Sequence, residues 1–147
     1  MTTENSLLSP HGVRLGQSAV DRWDAVRQVG AVFEEIGATD AGYTGAMLRR
    51  EETSSTYLGF GIAIPHGTAD SAGHIHHTGL VVLQFPDGVD WDGERVELCI
   101  GIAAVADEQL GLLCTLATIM MRADNAANLR GATEPGNVVD LLRPPTG

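Results

Sequence analysis

Seven consecutive residues, Gly79-Leu80-Val81-Val82-Leu83-Gln84-Phe85, include a single polar side chain. A run this short, closed by the turn-forming Pro86-Asp87-Gly88, predicts a strand. A strand that is apolar on both faces must be covered on both, which places it in the centre of a sheet. Residues 96–104 predict a second strand, with Leu98, Ile100 and Ile102 on one face and Cys99, Gly101 and Ala103 on the other. The small residues of that second face predict the close approach of a helix. Residues 62–64 read as a further short strand, stopped by Pro65, and residues 12–15 as an edge strand.

Between these runs the period changes. Val20, Trp23, Val26, Val29, Phe33 and Ile36 recur at threes and fours, predicting an amphipathic helix entered at Ser18 with Asp21 as its reciprocal cap and ended by Gly37. Asp40 is placed to cap a second helix, with Tyr43, Ala46 and Met47 on its buried face and Arg49-Arg50-Glu51-Glu52 at its end. The two arginines there suit the negative end of the helix dipole. Residues 51–55 read as a polar connection and 69–77 as a loop. Asp107 is expected to cap a third helix whose stripe is Leu110, Leu113, Leu116, Ala117 and Met120. Residues 125–130 and 137–142 predict short helical stretches, ended by Pro144-Pro145. Alternating strands and helices define an α/β fold, a mixed central β-sheet flanked by helices on both faces.

The chain of 147 residues suits one domain, 1–147, with 1–11 and 143–147 expected to be loose. No apolar run approaches the ~20 residues that span a bilayer, so no direct membrane insertion is expected. The first six residues lack the basic and apolar segments of a secretory signal, and the expected location is cytoplasmic. Cys99 and Cys114, each within an apolar pattern, read as buried thiols in a reducing compartment. A formal charge of −10 and the absence of any lysine argue against a nucleic-acid partner and against anionic membrane surfaces.

The most chemically suggestive segment is Gly61-Ile62-Ala63-Ile64-Pro65-His66-Gly67-Thr68. Proline forces the chain out of the sheet, and the glycine behind the histidine permits an unusual backbone or a close approach. An imidazole at a strand end, on a stiff turn, is a way to present a nucleophile. On chemistry alone, a structural histidine in a turn competes with that reading.

This segment resembles the phosphorylation-site motif of the mannitol/fructose-type EIIA components of the bacterial sugar phosphotransferase system. Pro86-Asp87-Gly88-Val89-Asp90 and Ile100-Gly101-Ile102-Ala103-Ala104 also look like family segments. The resemblance implies that His66 accepts a phosphoryl group from phospho-HPr and passes it to a cysteine of an EIIB domain, for uptake of mannitol or a related sugar. It implies no metal or organic cofactor. It also picks out Arg50, sixteen residues before the histidine, as the cation for the transferring group, to which a guanidinium fork is suited. Where many mannitol-type members carry a second histidine, this chain has Gln109, which can donate a hydrogen bond but not carry charge. Phe60 stands where some mannitol-type members have an acidic residue and fructose-type members often have phenylalanine. Thr56, Thr68 and the amino end of the helix at Asp107 are further candidate donors.

Two rival readings follow from the same residues. Some EIIA relatives use the phosphorylation state of the histidine to bind or release regulators, and the motif would look the same. Separately, His74 and His76, two apart, would share a face if they lay on a strand, with Asp70 as a third metal ligand; no HExxH or cysteine partner accompanies them. Neither a P-loop nor a kinase glycine loop is present, which argues against an ATP-dependent kinase.

Overall fold

The computed structural model describes residues 7–142. Its elements are β1 (Val13–Arg14), α1 (Arg22–Glu35), α2 (Ala41–Thr53), β2 (Tyr57–Gly59), β3 (Ile62–Ala63), β4 (Gly79–Trp91), β5 (Glu94–Ala103), α3 (Ala106–Met120), α4 (Ala123–Arg130) and α5 (Pro135–Leu141). The strands form one sheet in the order β1-β4-β5-β3-β2. β1 runs parallel to β4 and β3 parallel to β5, whereas β4/β5 and β2/β3 are antiparallel. The sheet is therefore mixed, as the sequence predicts.

Alternation along β4 and β5 divides the core in two. Leu80, Val82, Leu98, Ile100 and Ile102 pack with Leu116, Met120, Leu129 and Val138 of α3, α4 and α5. Val81, Leu83, Cys99 and Ala103 pack on the other face with Val26, Val29, Phe33, Tyr43 and Met47 of α1 and α2. The expected close approach is at Gly101, where a Cβ would lie 2.4 Å from Val29 Cγ1. The one polar residue of the central run is fully used: Gln84 Oε1 accepts from Gly16 N–H, and its Nε2 donates to Arg130 O and Ala132 O. It thereby ties β4 to the α4–α5 connection.

Several local expectations are corrected. Pro86-Asp87-Gly88 does not end the central strand; the register shifts between Gln84 and Val89, and β4 continues to Trp91. Asp92 and Gly93, both at positive φ, close a two-residue β4–β5 hairpin, the backbone such tight turns demand. Phe60 and Gly61 do the same between β2 and β3. The α1 cap is Asp21, which accepts from Asp24 N–H, and not Ser18; Val20, left outside the helix, is 89% exposed. Val105, and not Asp107, occupies the α3 cap position, and Leu110 is 66% exposed. Cys99 is buried but Cys114 is exposed. Residues 7–11 are not loose: Leu8 is buried in the core and Leu80 N–H donates to Leu7 O. The expectations for residues 1–6 and for 143–147, including the ending at Pro144-Pro145, lie outside the described residues. No helix among the described residues is long and apolar enough to cross a membrane.

Candidate functional site

His66 lies just beyond β3; the turn expected at Pro65 does not form, and a single parallel bridge pairs His66 with Ile102 of β5. Ile102 N–H donates to Pro65 O at 2.9 Å. The imidazole is 5% exposed, and its Nδ1 lies 2.8 Å from Ile64 O. A carbonyl oxygen only accepts, so Nδ1 carries the proton and Nε2 holds the lone pair. Among the described residues nothing hydrogen-bonds to Nε2.

The pKa of His66 is lowered, first by burial, which disfavours the imidazolium, and further by the Arg50 cation; the bond to Ile64 and the Glu51 charge oppose the shift. The ring is therefore neutral near pH 7, with one nitrogen fixed as donor and the other available as a nucleophile.

Gly67 is required by a close approach. A Cβ there would lie 2.5 Å from Tyr43 Cε1 and 2.6 Å from Ser71 Oγ. The Tyr43 hydroxyl accepts from Gly67 N–H at 2.9 Å and donates to Ile102 O at 2.7 Å. Its burial raises the phenol pKa to about 12, so it remains a neutral hydroxyl.

Arg50 ends α2, its Nη1 donating to Ser54 O at 2.8 Å and to Ser54 Oγ at 3.1 Å. Its charge is felt at His66. Glu51, its neighbour, belongs to the core and not to a polar connection. Its carboxylate is 2% exposed and accepts from Thr56 N–H, Thr56 Oγ1–H and Trp91 Nε1–H. The Thr56 hydroxyl is thereby committed, and the Thr68 hydroxyl donates to Asp70. Neither is the free donor that its sequence position offered.

Among the described residues Gln109 is joined by no hydrogen bond to His66 or Arg50. It lines a cleft of about 130 Å³ with Thr68, Ala69, Ala72, Val105 and Leu110, between the segment following His66 and the start of α3. The histidine cluster is also rearranged. Residues Ala69–His74 form a 3-10 helix, not a strand, and His74 Nδ1–H donates to Asp40 Oδ1 at 2.8 Å. His74 thus braces the cap of α2, and among the described residues no three metal-ligating side chains converge.

In the sequence Tyr43 reads as part of a helix face, and Glu51 as a helix end leading into a polar connection. The hydroxyl of one and the buried carboxylate of the other gain their meaning from β5, Thr56 and Trp91, which are distant in the chain.

Comparison with known proteins follows the same lines. The family described as "Phosphoenolpyruvate-dependent sugar phosphotransferase system, EIIA 2" matches residues 6–144. A multiphosphoryl transfer protein of Escherichia coli O157:H7 is 45% identical over 136 residues, covering 92% of this chain and 36% of that protein. The chain thus spans about a third of the length of that relative. The mannitol-specific phosphotransferase enzyme IIA component of Staphylococcus aureus (strain Mu50) is 37% identical over 121 residues, 82% of this chain and 84% of that protein. Among solved structures, the crystal structure of Escherichia coli IIA mannitol superposes with a TM-score of 0.85 at 33% identity, covering 92% of this chain and 98% of that one. An Escherichia coli complex of enzyme IIAMtl with phosphorylated enzyme IIBMtl matches with a TM-score of 0.85 at 32% identity, covering 92% and 96%.

Proposed function

The chain belongs to the EIIA type 2 family of the phosphoenolpyruvate-dependent sugar phosphotransferase system, and from that membership we propose that it is a phosphoryl carrier with His66 as the carrying residue. The observation that supports it most directly is the ring itself: Nδ1–H is held by Ile64 O and the pKa is lowered, which leaves Nε2 unprotonated.

In the first step the Nε2 lone pair attacks the phosphorus of phospho-HPr. An Nε2–P bond forms while the bond to the donor breaks, and the donor leaves with that electron pair. Positive charge develops on the ring and is stabilised by the Nδ1–H bond to Ile64 O. In the second step a cysteine thiolate of an EIIB domain attacks the phosphorus and the Nε2–P bond breaks, returning neutral His66. An EIIB partner is in keeping with the related Escherichia coli IIAMtl, solved in complex with phosphorylated IIBMtl.

Arg50 is assigned to the transferring oxygens. Its Nη1 holds the end of α2, leaving the rest of the guanidinium fork for phosphate. Gln109, which lines the same cleft as Thr68, is assigned as a neutral donor to the phosphoryl group. The substrate of the permease served is mannitol or a related sugar, and transfer between side chains requires no cofactor.

The test is intact-protein mass after incubation with phosphoenolpyruvate, enzyme I and HPr. Wild type should gain one acid-labile phosphoryl group and His66→Ala none; equal gain in both would overturn the assignment. A regulatory EIIA shares this first step and departs at the second: phosphorylated protein that transfers to no EIIB domain would identify a regulator in place of a sugar carrier.

A further inference from the structure

A parallel bridge is closed by two rungs, one on each side of the bridging residue. At His66 the first rung is direct, from Ile102 N–H to Pro65 O at 2.9 Å. On the other side the Tyr43 hydroxyl links the two groups that face each other, accepting from Gly67 N–H and donating to Ile102 O. The His66 segment is thus held directly on one side and through one hydroxyl oxygen on the other. Tyr43 and Gly67 are both buried, and the phenol ring packs where a Cβ of Gly67 would be.

We propose that Tyr43 is a positioning residue for His66: its hydroxyl, inserted between Gly67 and Ile102, sets how the Pro65-His66-Gly67 segment lies against β5 and so the direction of the imidazole. The inference rests on the carrier reading of His66 but concerns a residue two elements away in the chain. Without the hydroxyl, the Gly67 N–H is left as a costly unpaired donor unless the segment closes directly onto Ile102 O, and that closure moves His66. In-line transfer is sensitive to such movement; a displacement of about 1 Å at a reacting group can cost on the order of a hundredfold in rate.

The experiment uses Tyr43→Phe, which keeps the ring and removes one oxygen. Phe33→Leu serves as control, because Phe33 meets the Tyr43 ring edge-on at 6.1 Å between centroids and belongs to the same core. Single-turnover phosphorylation by phospho-HPr is measured on folded protein, with the Gly67 amide and His66 ring resonances followed by NMR. The expected result is a rate loss of about tenfold or more in Tyr43→Phe, with both resonances displaced, and a rate within about twofold of wild type in Phe33→Leu despite its lower stability. A Tyr43→Phe rate within about twofold of wild type would overturn the proposal. If wild type itself accepts no phosphoryl group, the carrier reading fails; unchanged His66 and Gly67 resonances in Tyr43→Phe would then overturn the positioning role on their own.

Discussion

The indole N–H of Trp91 donates to Glu51 Oε2 at 3.0 Å, joining the far end of the central strand to the last turn of α2. The same carboxylate accepts the backbone and hydroxyl hydrogens of Thr56, and Arg22 Nη1 lies 3.9 Å away. Glu51 therefore anchors the chain at the point where it leaves Arg50 and turns toward β2, β3 and His66. Arg50 and Glu51 are adjacent, but a helix separates neighbours by about 100°, so Glu51 turns into the core while Arg50 reaches Ser54 at the helix end.

Glu51→Gln should be destabilising. An amide offers one oxygen to three donors and turns its own N–H2 toward one of them. The expected loss is about 1–3 kcal/mol, read as a lower urea midpoint at unchanged slope. An unchanged midpoint would mean that the carboxylate does not anchor this junction.

Arg50→Ala should separate chemistry from stability. Loss of the bond to Ser54 O at a helix end costs about 1 kcal/mol or less, whereas loss of a cation aimed at the transferring phosphoryl group should slow labelling roughly a hundredfold. Arg50→Lys should recover only part of the rate, since an ammonium cannot present a fork. Wild-type labelling kinetics in Arg50→Ala would remove the arginine from the mechanism.

His66 gives the fold a pH dependence of definite sign. Burial lowers its pKa below the ordinary 6.5, so the unfolded chain takes up a proton at a higher pH than the folded one. Its contribution to stability is complete above 6.5 and is lost as pH falls from there through the lowered folded value. Melting temperatures followed downward from about pH 8 should fall less steeply in His66→Ala than in wild type over that window. Parallel curves would mean that the ring is protonated as readily folded as unfolded.

Three glycine substitutions should rank by what a new Cβ meets. Gly67→Ala places it 2.5 Å from Tyr43 Cε1, should cost about 1–3 kcal/mol, and should slow labelling because the His66 segment must shift. Gly101→Ala meets Val29 Cγ1 at 2.4 Å and should lose comparable stability while its folded fraction still labels. Gly73→Ala has nothing within 4 Å and should match wild type in both assays.

Much of this architecture is legible in the order of residues, because period and punctuation are local. The 79–85 run, the alternation of 96–104 and the threes-and-fours from Val26 to Phe33 each predict their element, and Gly101 even announces the helix that packs on it. The failures lie at boundaries and caps. Asp21 displaced Ser18, Val105 displaced Asp107, and Pro86-Asp87-Gly88 became an irregularity in a longer strand because β5 supplied pairing on its far side. Leu110 fits a buried stripe by spacing, but α3 turns that position outward.

What the sequence by itself determined was the class of fold and the presence of His66 just after a proline at a strand end, since both depend on residues within one element or one motif. Only the tertiary structure decided that the Thr56 and Thr68 hydroxyls are committed, that Glu51 is buried near a helix end, that His74 braces Asp40, and that Tyr43 stands between Gly67 and Ile102. Those outcomes are pairings between distant segments. A polar side chain announces that it needs a partner, but the partner is chosen by which surfaces the packed sheet and helices bring within hydrogen-bond reach.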